Sequence, residues 1–162
     1  MTTPAPEVLL TMPARPEGVG VVRQALAGMA DALDFDPTVL ADMKMAVTEA
    51  CTNVVVHAYD EDAGMLEVEM LADENGLTIV VRDHGAGIQP RPARSEPPAL
   101  GLGLPLIAAL SDAFELKGSA GQGTEVRMTF AYSRNADPAT ANPVTGNVGA
   151  DGRWDPDADS PA

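Results

Sequence analysis

The strongest constraint on the fold lies between residues 65 and 83, where two apolar runs, Met65 to Ala72 and Leu77 to Asp83, are separated by Asp73-Glu74-Asn75-Gly76. Asn-Gly tolerates positive φ, so the spacing predicts a tight hairpin and an antiparallel strand pair. A sheet with such a seam needs a second layer over its apolar face, and the upstream sequence supplies it. Val19, Val22, Leu26, Met29 and Leu33 recur at helical spacing from Pro16 to Leu33, and Pro16 suits a first turn. A second helix is predicted to open at Asp36-Pro37, with Asp as cap and Pro at the first position. It runs through Leu40, Met43, Val47, Ala50, Val54 and Ala58 until acidic and Gly residues stop it between Tyr59 and Gly64.

Glu7 to Met12 alternates weakly and reads as a first strand. Residues 89–100 hold Pro90, Pro92, Pro97 and Pro98, which predicts an exposed loop. Gly101 to Asp112 then reads as a helix opened by glycine, and strands Ala113 to Lys117 and Thr124 to Tyr132 flank a turn over residues 118–123. The order βααββ, loop, αββ predicts an α/β chain, an α+β two-layer sandwich with helices on one face of a mixed sheet.

The chain's 162 residues accommodate one such domain, residues 1–132. From Ser133 onward the composition shifts to Asp, Ala, Pro, Gly, Asn, Thr and Ser with an isolated Trp154, which predicts a disordered tail over residues 133–162. Ten basic residues oppose 24 acidic ones, a formal charge of −14. Five Asp against two Arg assign −3 of this to the tail and leave −11 on the domain. A domain this acidic has no counterion-release term for a phosphate backbone, which argues against direct binding to nucleic acid or to an anionic membrane. MTTPAPEVLL lacks a basic leader pattern and no apolar run reaches membrane length, so a cytoplasmic location is expected. The single Cys51 sits among Val47, Ala50, Val54 and Val55 and reads as core.

Four short fragments carry the chemistry. Glu49, Asn53 and His57 recur every four residues on the second helix, so each step turns only about 40°. They form a polar stripe bordering the apolar face, placed where a cleft could keep a carboxylate wet. Asp83-His84-Gly85-Ala86-Gly87-Ile88 follows an apolar strand. A carboxylate there can accept from an exocyclic amine such as adenine's, and glycines let backbone approach a ligand. Leu100-Gly101-Leu102-Gly103-Leu104 opens a helix whose unpaired N–H groups could meet phosphate oxygens. Gly123-Thr124 starts the last strand. Alone, each fragment reads equally as a solvated face, a Gly-rich turn or close packing.

Their order and spacing resemble the GHKL (Bergerat-fold) ATP-binding superfamily: an N box at Glu49 to Asn53, a G1 box at Asp83 to Ile88, a G2 box at Gly101 to Leu104 and a G3-like Gly123-Thr124. TEACTNVVVHAY, VVRDHGAGI and LGLGLPLI look most like the anti-sigma factor serine/threonine kinases. The resemblance covers residues 7–132 and implies a Bergerat-type sheet, ATP and Mg²⁺. Asn53 would be the metal ligand, Asp83 the adenine partner, and Gly85 and Gly87 the shapers of that pocket. Gly101, Leu102, Gly103 and Leu104 would meet the phosphates beneath an ATP lid, Thr124 would lie near the base, and Glu49 would be the general base. The implied partners are a sigma factor and an anti-anti-sigma protein of STAS type that carries the target hydroxyl, with homodimerisation also expected. Kinases of this type often carry an arginine just before the second glycine pair, where this chain has Ala99 and Leu100; Arg91 and Arg94 would substitute from the lid or remain solvated. That departure keeps open a nucleotide-responsive binding protein without kinase activity. A third reading, the catalytic half of a split histidine kinase, is disfavoured because the sequence shows no preceding helical hairpin with a phosphoacceptor His and places His57 and His84 inside the N and G1 boxes. Two His with one Cys offer too few ligands for zinc.

Overall fold

The computed structural model describes residues 7–59, 64–87 and 103–132. Along these the chain forms β1 (Glu7–Pro13), α1 (Pro16–Ala32), α2 (Pro37–Asn53) continued by a π-helical turn (Val54–Ala58), β2 (Met65–Ala72), β3 (Gly76–Asp83), α3 (Gly103–Leu110), β4 (Ala113–Gly118) and β5 (Thr124–Ala131). The predicted loop over residues 89–100 with Arg91 and Arg94, the residues Gly101 and Leu102, and the tail over residues 133–162 lie outside the described residues.

The strands order as β1-β2-β3-β5-β4, and every neighbouring pair is antiparallel. The expected mixed sheet is therefore corrected to an antiparallel one. Two helices separate β1 from β2, so the chain goes out, back and out again before β2 returns beside β1. β3 and β4 do point the same way, as a strand-helix-strand connection requires, but β5 inserts between them and pairs with both.

Local chemistry accounts for the ends of the elements. The Thr38 N–H donates to Asp36 Oδ1 at 2.7 Å with Pro37 in the first helical turn, as the sequence predicts. The hairpin between β2 and β3 also forms, though not through positive φ: neither Asn75 nor Gly76 adopts it. Instead Asp73 Oδ1 accepts from the N–H groups of Asn75 (2.7 Å) and Gly76 (3.0 Å), and the Asp73 N–H donates to Gly76 O. Gly76 is required because a Cβ there would stand 2.0 Å from Phe130 O on β5.

Alternation along the strands divides the sheet into two faces. Leu66, Val68 and Met70 of β2, Leu77, Ile79 and Val81 of β3, and Val126, Met128 and Phe130 of β5 are buried with Val22 and Leu26 of α1, Met43 and Val47 of α2 and Ile107 of α3. The opposite face carries charge. Arg82 pairs with Glu69 at 2.9 Å and with Glu125 at 2.7 Å. The hydrogen bond from Arg82 holds the Glu125 carboxyl below the usual carboxylate range. Cys51 is buried in the core, where desolvation pushes its thiol up to about 12 and disfavours the thiolate.

Candidate nucleotide-binding site

At one end of the two layers α2, β3, α3, β4 and β5 enclose a cavity of about 230 Å³. Its walls are apolar: Ala50, Val54 and Ala58 from the helix, Val81 and Val126 from the sheet, Leu104 from α3 and Leu116 from β4. Its polar groups are few and come from Asn53, His57, Asp83 and Thr124. An apolar slot with a few converging polar groups suits a flat heteroaromatic ligand held at one edge.

Asp83 occupies the last position of β3 and is 6% exposed. It faces Thr124 in register on β5, so both side chains reach the same level of the cavity. Oδ1 accepts the Gly85 N–H at 2.9 Å, which fixes the plane of the carboxylate. The following loop approaches two other segments closely. A Cβ on Gly85 would lie 1.8 Å from Ala58 O at the end of the π-helical turn, and Gly87, at φ +70°, would place one 2.0 Å from Ser119 O. Both glycines of the D-x-G-x-G fragment are thus required by backbone contact, and Gly87 also lines the cavity.

The helical stripe is present with one alteration. An α-helix was expected to run to Ala58, but the last five residues form a π-helical turn. Each residue of this wider turn advances the helical wheel by less than an α-helical residue, which swings His57 back toward the line of Glu49 and Asn53 instead of toward the core. His57 is accordingly exposed while lining the cavity. Glu49 does not line the cavity that holds Asp83. It lines an adjacent surface hollow with Arg23, Lys44, Met45 and Thr48.

Glu49 and Asn53 nevertheless converge at Gly103, the first residue of α3. A Cβ on Gly103 would stand 3.4 Å from Glu49 Oε2, 3.4 Å from Asn53 Nδ2 and 3.6 Å from Asn53 Oδ1. Gly103 therefore packs beside both a carboxylate and an amide at the mouth of the cavity, with room for a Cβ at ordinary contact distance. Among the described residues no three His, Cys, Asp or Glu side chains gather as a metal cluster. The oxygen donors at this mouth suit a hard cation that takes one protein ligand and completes its shell with water and phosphate. Gly101 and Leu102 lie outside the described residues, while Leu104 is at the cavity wall.

The apolar lining was not singled out in the sequence, because Val54, Val81, Leu116 and Val126 carry the same pattern as core residues. Tyr59 was also missed. Its hydroxyl donates to Met65 O at 2.6 Å and accepts the His84 N–H at 2.9 Å, tying the end of the helix to the residue after Asp83.

Comparison with known proteins gives the family to which the chain belongs. The profile of the histidine kinase-like ATPase domain matches residues 12–130. The chain is 33% identical over 151 residues to the serine-protein kinase RsbW of Bacillus cereus (strain AH820), covering 86% of this chain and 93% of that protein. It is similarly 33% identical to the serine-protein kinase RsbW of Bacillus thuringiensis (strain Al Hakam), with the same coverage of 86% and 93%. Among solved structures it resembles the RsbU and RsbW domains of Rv1364c from Mycobacterium tuberculosis, with a TM-score of 0.61 and 25% identity over 78% of this chain but only 32% of that one. The histidine kinase domain of a blue-light activated kinase from Erythrobacter litoralis EL346 shares the fold, with a TM-score of 0.51 at 18% identity, over 75% of this chain and 62% of that one. The chain belongs to the histidine kinase-like ATPase family of the GHKL superfamily, alongside the RsbW serine-protein kinases to which it is similar.

Proposed function

We propose that this protein is an ATP-dependent serine/threonine protein kinase that holds a sigma factor and phosphorylates an anti-anti-sigma partner of STAS type. The observation that carries the reading is the apolar cavity with the buried Asp83 carboxylate at one end and the Glu49–Asn53 pair meeting over Gly103 at its mouth. In this reading Asp83 accepts a hydrogen bond from the adenine amine through the oxygen not engaged by Gly85, while Thr124 faces the base. The apolar walls exclude water from its faces. Asn53 would hold Mg²⁺ through its side-chain oxygen, and the metal would supply positive charge that offsets the negative charge of both domain and nucleotide. Gly103 and Leu104 open α3 and, together with Gly101 and Leu102, are assigned to meet the phosphates.

Glu49 is assigned as the general base, and its place in an open hollow outside the adenine cavity suits that role. A macromolecular hydroxyl arrives from outside while the nucleotide fills the inside. As the Ser or Thr oxygen bonds to the γ-phosphorus, its proton passes to Glu49. The bond from that phosphorus to the bridging oxygen breaks, and ADP leaves. The protein is proposed to work in the cytoplasm, as a homodimer; no helix among the described residues is long and apolar enough to cross a membrane.

The test is incubation with labelled ATP, Mg²⁺ and candidate Ser-bearing STAS proteins. Transfer that disappears in Glu49→Ala while nucleotide still binds supports the kinase. A second reading, nucleotide-dependent partner binding without transfer, is favoured by Ala99 and Leu100 standing where kinases of this type often have arginine. ATP-dependent partner capture without label transfer to any candidate selects it.

A further inference from the structure

The three backbone amides that follow Asp83 are each held by a specific acceptor. The His84 N–H donates to Tyr59 Oη at 2.9 Å, the Gly85 N–H to Asp83 Oδ1 at 2.9 Å, and the Ala86 N–H to Ala58 O at 2.9 Å. Two of the three acceptors belong to the end of the helix that carries Glu49 and Asn53. Tyr59 is itself fixed. Its hydroxyl donates to Met65 O at 2.6 Å, and its ring lies so close to Gly64 that a Cβ there would stand 2.1 Å from it. The far side of the loop is held by the Gly121 N–H, which donates to Ala86 O at 2.7 Å.

We propose that Tyr59 is a positioning residue for nucleotide recognition, its hydroxyl latching the loop that aims Asp83 to the helix that carries Asn53. The proposal rests on the ATP reading above and adds to it a residue that does not line the cavity. The ends of the cavity sit on different elements, β3 for Asp83 and α2 for Asn53, so their separation is set by whatever joins the two. The Ala58 carbonyl joins them through backbone alone. The Tyr59 hydroxyl is the side-chain link, and it can be removed without altering the helix. Losing it frees the His84 N–H and loosens the carboxylate one residue away. The cost falls on binding of the base and not on transfer at Glu49.

Tyr59→Phe keeps the ring against Gly64 and removes only the hydroxyl. In the nucleotide-free protein, amide exchange at His84 is expected to speed up by at least about tenfold. With Mg²⁺ present, Kd for ATP rises about five- to tenfold while kcat at saturating ATP stays within about twofold of wild type. In an Asp83→Asn background the same substitution adds less than about twofold, because its effect runs through that carboxylate. Gly64→Ala is the second variant. It retains the hydroxyl but displaces the ring, and it should reproduce both the faster exchange and the weaker binding.

Unchanged exchange at His84 in both variants overturns the latch. Faster exchange with unaltered ATP affinity, or an undiminished effect in the Asp83→Asn background, overturns the positioning role. If Asp83→Asn alone binds ATP like wild type, the adenine reading fails and takes the functional part of the proposal with it, whereas the exchange result still reports on the latch.

Discussion

Replacing Gly85 by Ala tests whether the loop after β3 is wedged against the helix as closely as the structure shows. The new Cβ would lie 1.8 Å from Ala58 O, at least about 1.6 Å short of ordinary contact. The obstacle is backbone on both sides, so no side chain can rotate away. The loop or the π-helical turn must shift, and the Ala86 N–H bond to that same oxygen, now 2.9 Å, is lost. One part-buried backbone hydrogen bond at about 1 kcal/mol and overpacking of about 1–3 kcal/mol together predict a loss of about 2–4 kcal/mol. With a urea slope of about 2 kcal/mol/M, the unfolding midpoint falls by about 1–2 M by circular dichroism. Gly28→Ala is the control. Nothing lies within 4 Å of its Cβ position inside α1, so helix propensity should raise stability by about 0.5–1 kcal/mol. A Gly85→Ala protein that unfolds at the wild-type midpoint would refute the reasoning.

Three other expectations concern binding and pH. Asp83→Asn keeps an acceptor for the Gly85 N–H but replaces the charged acceptor facing the base, so ATP affinity by calorimetry should fall at least about tenfold without loss of fold; equal affinity counts against Asp83 as the adenine partner. Excess chelator should weaken ATP binding at least about tenfold in wild type and little in Asn53→Ala, because metal must offset the repulsion between nucleotide and an acidic domain; a wild-type protein indifferent to chelator removes Asn53 as a metal ligand. Glu125, whose carboxyl is held down first by its hydrogen bond from Arg82, contributes stability above its unfolded value of about 4.5 and loses it as pH falls through the lower folded value. The gap in urea midpoint between wild type and Glu125→Gln should therefore narrow from about pH 6 to about pH 3, and a gap that widens on acidification reverses the assigned sign.

Much of this arrangement was legible because it is local. Asp36-Pro37 caps α2 with groups two residues apart, the alternation of Leu66, Val68 and Met70 assigns a buried face, and the D-x-G-x-G glycines stand where backbone meets backbone. What was not legible depends on partners distant in sequence. The insertion of β5 between β3 and β4, which makes the sheet antiparallel, joins residues about fifty apart, such as Thr78 and Thr129. Gly76 looked like a turn glycine needing positive φ and proves to be one that clears Phe130 O. A helical wheel of constant pitch hides the π-helical turn that redirects His57, and nothing near Tyr59 in sequence announces that its hydroxyl meets the His84 amide. Glu49 was legible as a polar neighbour of Asn53, but its place in a hollow lined by α1 and α2 depends on Arg23, which is distant in sequence.

The central claim is that separated segments of this chain converge on one nucleotide. An NMR titration of the isotope-labelled protein with ATP and Mg²⁺ tests it most directly. Convergence predicts saturable shifts at the amides of Asn53, Gly85, Gly103 and Thr124 that follow a single Kd, with the charged sheet face around Glu69 and around Arg127, which stands 3.7 Å from Glu125, unmoved. Absence of saturable binding, or shifts gathered on that sheet face while the four amides stay still, would contradict it.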